Sequence, residues 1–164
     1  VPLDLPFVGK GEPIIPQPNS KKRYWSKTDL AWMSIGYVTQ LTPIHTLTFY
    51  NGIANNGRMV KPRFVKAEKD NGIIVREFPT EVIREKMCSQ HTLDDIHDIL
   101  EKVVSKGLGK RAGNGGKLFK VSGKTGTAQM AQAGGKGYHS GTPRYMVSFC
   151  GYYPSEAPKY STIV

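Results

Sequence analysis

The chain has 164 residues, 38% hydrophobic and 22% charged, which is enough apolar material for one core and too much for a disordered tract. Two cysteines exclude a disulfide scaffold, and no run approaches the roughly 20 apolar residues of a membrane-spanning helix. The net charge of +10 is lopsided, because residues 1–101 carry 13 basic against 12 acidic side chains while residues 102–164 carry 10 against one, Glu156. Such an excess marks either an anion-binding surface, for nucleic acid, lipid headgroup, carboxylate or phosphate, or a solvated basic face.

Residues 1–27 hold Pro2, Pro6, Pro13, Pro16 and Pro18 and predict an extended opening segment. Residues 28–107 read as a helical part with a β-hairpin near 63–78. Thr28 is placed to cap a short helix with Leu30, Met33 and Tyr37 on one side and Gly36 at its end. A helix over 43–55 has Thr42 as N-cap, Pro43 at its first position, Ile44, Leu47, Tyr50 and Ala54 at helical spacing, and Gly57 beyond its last turn. Asp70-Asn71-Gly72 between the β-prone runs 64–69 and 73–78 predicts a hairpin, since Asn-Gly tolerates the two positive φ angles of a tight turn. Pro79-Thr80 ends it and reads as the start of a short helix reaching Met87. A third helix over 93–106 is expected, opening on a capping-box-like Thr92-Leu93-Asp94-Asp95, with Leu93, Ile96, Leu100, Val103 and Val104 as its apolar stripe and Gly107 as its stop.

Residues 107–117 form a glycine-rich basic loop. Three strands follow within 118–164, over 118–129, 145–152 and 160–164, and their short connections require an antiparallel meander. The loop at 130–144, with Gly134-Gly135-Lys136-Gly137, reads as a mobile flap. The expected fold class is α/β of the α+β type, an antiparallel sheet packed with helices. The chain opens on Val1-Pro2 and closes inside the β-branched run Ser161-Thr162-Ile163-Val164, so it is expected to be a fragment cut at both ends.

Gly123-Lys124-Thr125 matches the end of a phosphate loop, but the first glycine would have to stand at 118, which is Leu118, and no helix follows. Gly107-Leu108-Gly109 fails as a dinucleotide fingerprint because it follows a helix rather than a strand. His45, His91, His97 and His139 share no zinc-like spacing with Cys88 or Cys150, so no metal and no cofactor is expected. Cys150 reads as a small buried hydrophobe, with a Cys88–Cys150 disulfide left open. Tyr138, Tyr145, Phe149, Tyr152 and Tyr153 offer stacking surfaces, yet no nucleic-acid signature organises them, and no nucleic acid is expected as partner. What is left is the run 121–129. Its alternation sets Thr125 and Thr127 on one face, its glycines admit a close neighbour, and its edge could pair with a peptide while hydroxyls and Lys124 hold a carboxylate. A plain strand with a surface lysine is the competing reading.

Lys124-Thr125-Gly126 resembles the K-T-G motif of the penicillin-binding proteins and serine β-lactamases, and its setting from Gly123 to Gln129 is similar to the transpeptidase domain of class B penicillin-binding proteins. Ser34-Ile35-Gly36-Tyr37, Leu41-Thr42-Pro43, Tyr50-Asn51-Gly52-Ile53-Ala54-Asn55-Asn56-Gly57, Val60-Lys61-Pro62 and Ser148-Phe149-Cys150-Gly151-Tyr152-Tyr153-Pro154 fit the same domain in the right order. The resemblance implies an incomplete transpeptidase fold from a peptidoglycan D,D-transpeptidase, of the division type on the wording of the Trp25 to Lys66 block. It implies an acyl-serine intermediate, stem peptides as substrate, β-lactams as ligands of the longer protein, and other cell-division proteins as partners.

In that frame Lys124 would raise the local positive potential and bond to the hydroxyl of the family's S-x-N motif. Thr125 and Thr127 would bind the substrate carboxylate, Gly126 would leave room for the peptide, and the Thr127 backbone N–H would donate to the oxyanion. No serine here begins S-x-x-K or S-x-N, so the nucleophile is absent from this chain and the chain alone is expected to be inactive. The resemblance further implies a site at the extracytoplasmic face of the bacterial membrane, with an N-terminal anchor outside these residues. A non-catalytic basic module binding anionic glycan, peptide or nucleic acid is the alternative.

Overall fold

The computed structural model describes residues 3, 11–20, 24–113, 118–131, 138 and 142–164. The glycine-rich stretch 114–117 and most of the expected flap, 132–137 and 139–141, lie outside the described residues. Helix α1 spans Asp29–Ser34 and α2 spans Pro43–Ala54. The Thr28 side chain does not cap α1; the buried Asp29 carboxylate instead accepts from the Ser26 N–H at 3.1 Å, tying the helix to its own lead-in. On the expected side of α1 Leu30 is exposed while Met33 and Tyr37 are half-buried, and Gly36, at φ 90°, turns the chain out of the helix. α2 starts at Pro43, where a missing N–H costs nothing, and the Thr42 hydroxyl turns to His45 Nδ1 at 2.6 Å rather than to the backbone.

Strands β1 (Met59–Val60), β2 (Ala67–Asp70), β3 (Ile73–Glu77) and β4 (Val82–Arg84) form two separate antiparallel pairs, β1 with β4 and β2 with β3. The β2–β3 turn is Asn71-Gly72 with φ of 49° and 85°, as the dipeptide demands. The expected helix through Met87 is replaced by β4. Val82 pairs with Val60, and the Lys61 N–H bonds Glu81 O at 2.9 Å, so backbone groups that a one-turn helix would leave to water are satisfied across the chain.

Helix α3 runs Gln90–Ser105 and begins three residues before the expected start. Ser89 is its cap, accepting from the Thr92 N–H at 3.1 Å, so Thr92 lies inside the first turn. Its stripe buries Leu93, Leu100 and Val104. The C-terminal turn folds back through Gly109 N–H to Val103 O at 2.9 Å and a 3₁₀ turn, Lys110–Gly113.

Strands β5 (Ser122–Met130), β6 (Arg144–Tyr153) and β7 (Tyr160–Ile163) make the expected antiparallel meander in the order β5-β6-β7. Helices α2 and α3 pack against it, and Ile53, Leu100 and Tyr152 meet at the centre of the core, flanked by Tyr50, Ala54 and Ile96. Leu93, 2% exposed, locks α3 to the end of α2, because a Cβ added at Gly57 would stand 2.8 Å from its Cδ1. Truncation by Leu93→Ala is expected to lower unfolding stability by about 2–5 kcal/mol, read as a shift of the urea midpoint at unchanged slope.

Candidate active site: the free edge of the Lys124 strand

An antiparallel strand directs the backbone groups of alternate residues to one neighbour and the rest to the other side. On β6, Phe149 exchanges both backbone bonds with Val164, at 3.0 and 2.9 Å, so odd-numbered β6 residues face β7. Even-numbered ones therefore face β5, and the register pairs Tyr152 with Ser122, Cys150 with Lys124 and Ser148 with Gly126. It follows that Gly123, Thr125, Thr127 and Gln129 aim their N–H and C=O groups away from the sheet. The Gln129 N–H confirms this phase, donating to the Tyr37 hydroxyl at 3.0 Å.

The residues singled out from sequence thus come together on one edge. Lys124 lies exposed with Nζ folded along the strand, donating to Thr125 O at 2.8 Å and reaching Thr125 Oγ1 at 3.5 Å. Thr125 is half-buried and Thr127 exposed, and among the described residues the Thr127 N–H and C=O meet no partner. Side-chain alternation puts Lys124 on the opposite face from Thr125 and Thr127, so lysine and hydroxyls converge only along the edge itself. A Cβ at Gly126 would lie 2.5 Å from Ser148 Oγ, a contact that rotation of that exposed hydroxyl would relieve.

The root of the strand is held by polar groups that periodicity did not single out. Ser122 and Tyr152 are both fully buried. The Ser122 hydroxyl bonds Ser155 Oγ, which reaches Glu101 at 3.4 Å, and Glu101 takes a 2.8 Å bond from Lys120. That bond to Glu101 is also what raises the Lys120 pKa most. Tyr152 shares a hydrogen bond with His97 Nδ1. His97 and Glu101 stand one helical turn apart beside the apolar stripe of α3, and that spacing is the one signal by which they could have been found.

Beneath Lys124, burial pushes the Cys150 thiol up to about 11 and raises Tyr152 and Tyr50 as well. Cys88 and Cys150 are both free, so the disulfide left open by the sequence is not formed.

An antiparallel sheet with an open lysine- and threonine-bearing edge, backed by two helices, defines the class of the molecule. The profile of the penicillin binding protein transpeptidase domain matches residues 14–164, and the chain belongs to that family. Penicillin-binding protein PbpB of Mycolicibacterium smegmatis is 28% identical over 142 residues, covering 83% of this chain and 21% of the relative. Penicillin-binding protein H of Bacillus subtilis is 31% identical over 140 residues, covering 80% and 19%. Among solved structures, penicillin binding protein 3 of Mycobacterium tuberculosis complexed with ampicillin superimposes with a TM-score of 0.78 at 28% identity, over 98% of this chain and 34% of that one. The chain spans about a fifth of the length of the curated relatives it matches.

A thiol whose pKa is raised to about 11 stays protonated through neutral pH, and the stability linked to that proton is present below the ordinary thiol value of 9.0 and lost as pH rises toward 11. Iodoacetamide at pH 8 is accordingly expected to alkylate half-buried Cys88 and spare buried Cys150, with peptide mass mapping as the check.

Proposed function

We propose that these residues are the K-T-G-bearing part of one transpeptidase domain of a serine-type peptidoglycan D,D-transpeptidase of the division type, working at the extracytoplasmic face of a bacterial membrane. The observation that carries this reading is the open edge of β5, where the outward N–H of Thr127 stands next to Lys124 and two threonine hydroxyls. A membrane anchor would lie outside these residues; among the described ones no helix is long and apolar enough to span a bilayer.

In this reading the terminal stretch of a stem peptide lies along β5 as an added strand. Its carboxylate sits by the hydroxyls of Thr125 and Thr127, and Lys124 supplies positive potential and a donor to a second catalytic motif outside these residues. A serine, also outside the chain, attacks the D-Ala-D-Ala carbonyl, and the charge forming on that oxygen is met by the Thr127 N–H. The C–N bond breaks, terminal D-Ala leaves with the proton taken from the serine, and an amine of a neighbouring stem peptide resolves the ester and releases the serine. A β-lactam would acylate the same serine. The solved relative complexed with ampicillin, and a second structure of that protein complexed with aztreonam, support this ligand class. A D,D-transpeptidase of Buchnera aphidicola, FtsI, at 25% identity over 147 residues, supports the reaction class.

Because the Thr127 N–H faces outward, proline can replace it without breaking the ladder to β6. In the full-length protein, Thr127→Pro is expected to slow acylation by a fluorescent penicillin about 10²–10³-fold, the effect of losing one oxyanion donor. Thr127→Val, which keeps the N–H, is expected to lose less. Equal rates in both variants would overturn the backbone role, and labelling of the 164-residue chain by itself would overturn the placement of the nucleophile outside it.

A further inference from the structure

We propose that Tyr37 closes the free edge of β5, limiting a strand-like ligand there to two rungs and turning whatever follows onto the aromatic cluster of Trp32, Tyr37 and Tyr138. The proposal rests on the reading of β5 as the peptide edge, and it adds a specificity-determining residue to it.

Four outward-facing residues could in principle pair with a ligand. Gly123 is buried at the root of the strand. At the other end, Gln129 is already used on both its backbone and its side chain: its N–H donates to the Tyr37 hydroxyl at 3.0 Å, and its Nε2 donates to Tyr138 O at 2.9 Å. Thr125 and Thr127 are left between them, two residues apart and so about 6.7 Å along the strand, which is the length of a dipeptide. Among the described residues the Thr125 carbonyl holds only the Lys124 ammonium, and the Thr127 backbone groups meet no partner.

Tyr37 is held in place for this task. Its N–H donates to Trp32 O at 3.0 Å, its ring stands edge-on to Trp32 with centroids 5.5 Å apart, and Gly36 before it takes the positive φ that lets the chain turn back toward β5. Tyr138 closes the group, stacked on Trp32 at 6.4 Å and edge-on to Tyr37 at 6.1 Å. A ligand strand growing past Thr127 therefore meets a hydroxyl whose hydrogen bond to the strand is already made. It has to leave the edge, and the surface it meets is the cluster, whose Trp32 is 41% exposed. Flat or apolar groups suit that surface, since aromatic faces favour offset and edge-on contacts.

Two measurements on the full-length protein test this. The first is amide hydrogen exchange: the Gln129 N–H is expected to be protected in the wild type and to exchange at least tenfold faster in Tyr37→Phe, which keeps the ring and removes the acceptor. The second is the ratio of acylation rates for benzylpenicillin, which bears a phenylacetyl amide, and 6-aminopenicillanic acid, the same nucleus without it. That ratio is expected to shift at least threefold in Tyr37→Phe and to fall at least threefold in Trp32→Leu. An unprotected Gln129 amide in the wild type, or rates for both compounds that change by the same factor, overturns the proposal. Failure of the wild type to react with either compound would count against the transpeptidase reading instead, and the Gln129 exchange would still decide whether Tyr37 closes the edge.

Discussion

Everything at the site depends on the phase in which β5 pairs with β6. A shift of one residue would turn the Thr127 N–H into the sheet and bring Gly126 and Ala128 to the edge. The phase is fixed at the root of the strand, where two glycines stand opposite each other. A Cβ at Gly151 would come 3.0 Å from Gly123 Cα, and one at Gly123 would come 2.7 Å from Cys150 O. In this register a side chain at either position would run into backbone, so the glycine pair is what permits the close approach. The hydroxyl of buried Ser122, linked to Ser155 and through it to Glu101 and Lys120, adds a polar lock one residue earlier. A buried hydroxyl moved off such partners loses about 1–3 kcal/mol.

The helices transmit this order rather than merely covering the sheet. α3 approaches with Leu100 for the apolar core and with His97 and Glu101 for the polar root, while α2 contributes Ile53 to that core and Tyr50 close to Cys150. One face of β6 thus reads Tyr152, Cys150, Ser148 from fully buried to exposed, and Lys124 emerges where that burial ends. Lys124 stands opposite buried Cys150, and its side chain leaves that rung by folding along the strand, with Nζ on Thr125 O.

Much of this was legible in the residues. Pro43 and Gly57 bracket α2, Asn71-Gly72 sets the hairpin, and short connections give the meander, because proline fixes φ while glycine and asparagine reach the positive φ that other residues avoid. The errors fall where tertiary partners override local preference. Ser89 outcompetes Thr92 as the cap of α3, and within 79–87 the short strand Val82–Arg84 forms because Val60 and Lys61 offer that stretch a partner. The motif at Lys124 was readable by its resemblance, and its resemblance alone favoured it over a plain strand. The outward aim of Thr127 was not readable, since which half of a strand's amides face the edge depends on the pairing of β6 with β7, thirty residues downstream. Tyr37 was legible as part of a short helix's apolar side and of the family-like run 34–37, but its bond to the Gln129 amide was not, because that partner is distant in sequence.

An open strand edge poses opposite demands. It has to offer unpaired donors to a ligand, and the same donors invite another chain to pair and aggregate. Here the exposed portion is short: Gly123 is buried, the Gln129 N–H is taken by Tyr37, and a lysine stands beside the two residues between them. Two rungs are too few to hold a second sheet, for even a two-stranded pair is marginal in water. On the proposed reading they suffice for a peptide with a terminal carboxylate, because the cation and hydroxyls would add charge-assisted bonds that an ordinary strand edge cannot. The Thr127 N–H is fixed by the ladder on the other side of its strand, so in the proposed reaction a charge developing on a ligand oxygen would meet a donor that needs no reorganisation. The constraint that protects the edge from other chains also keeps its few free donors aimed.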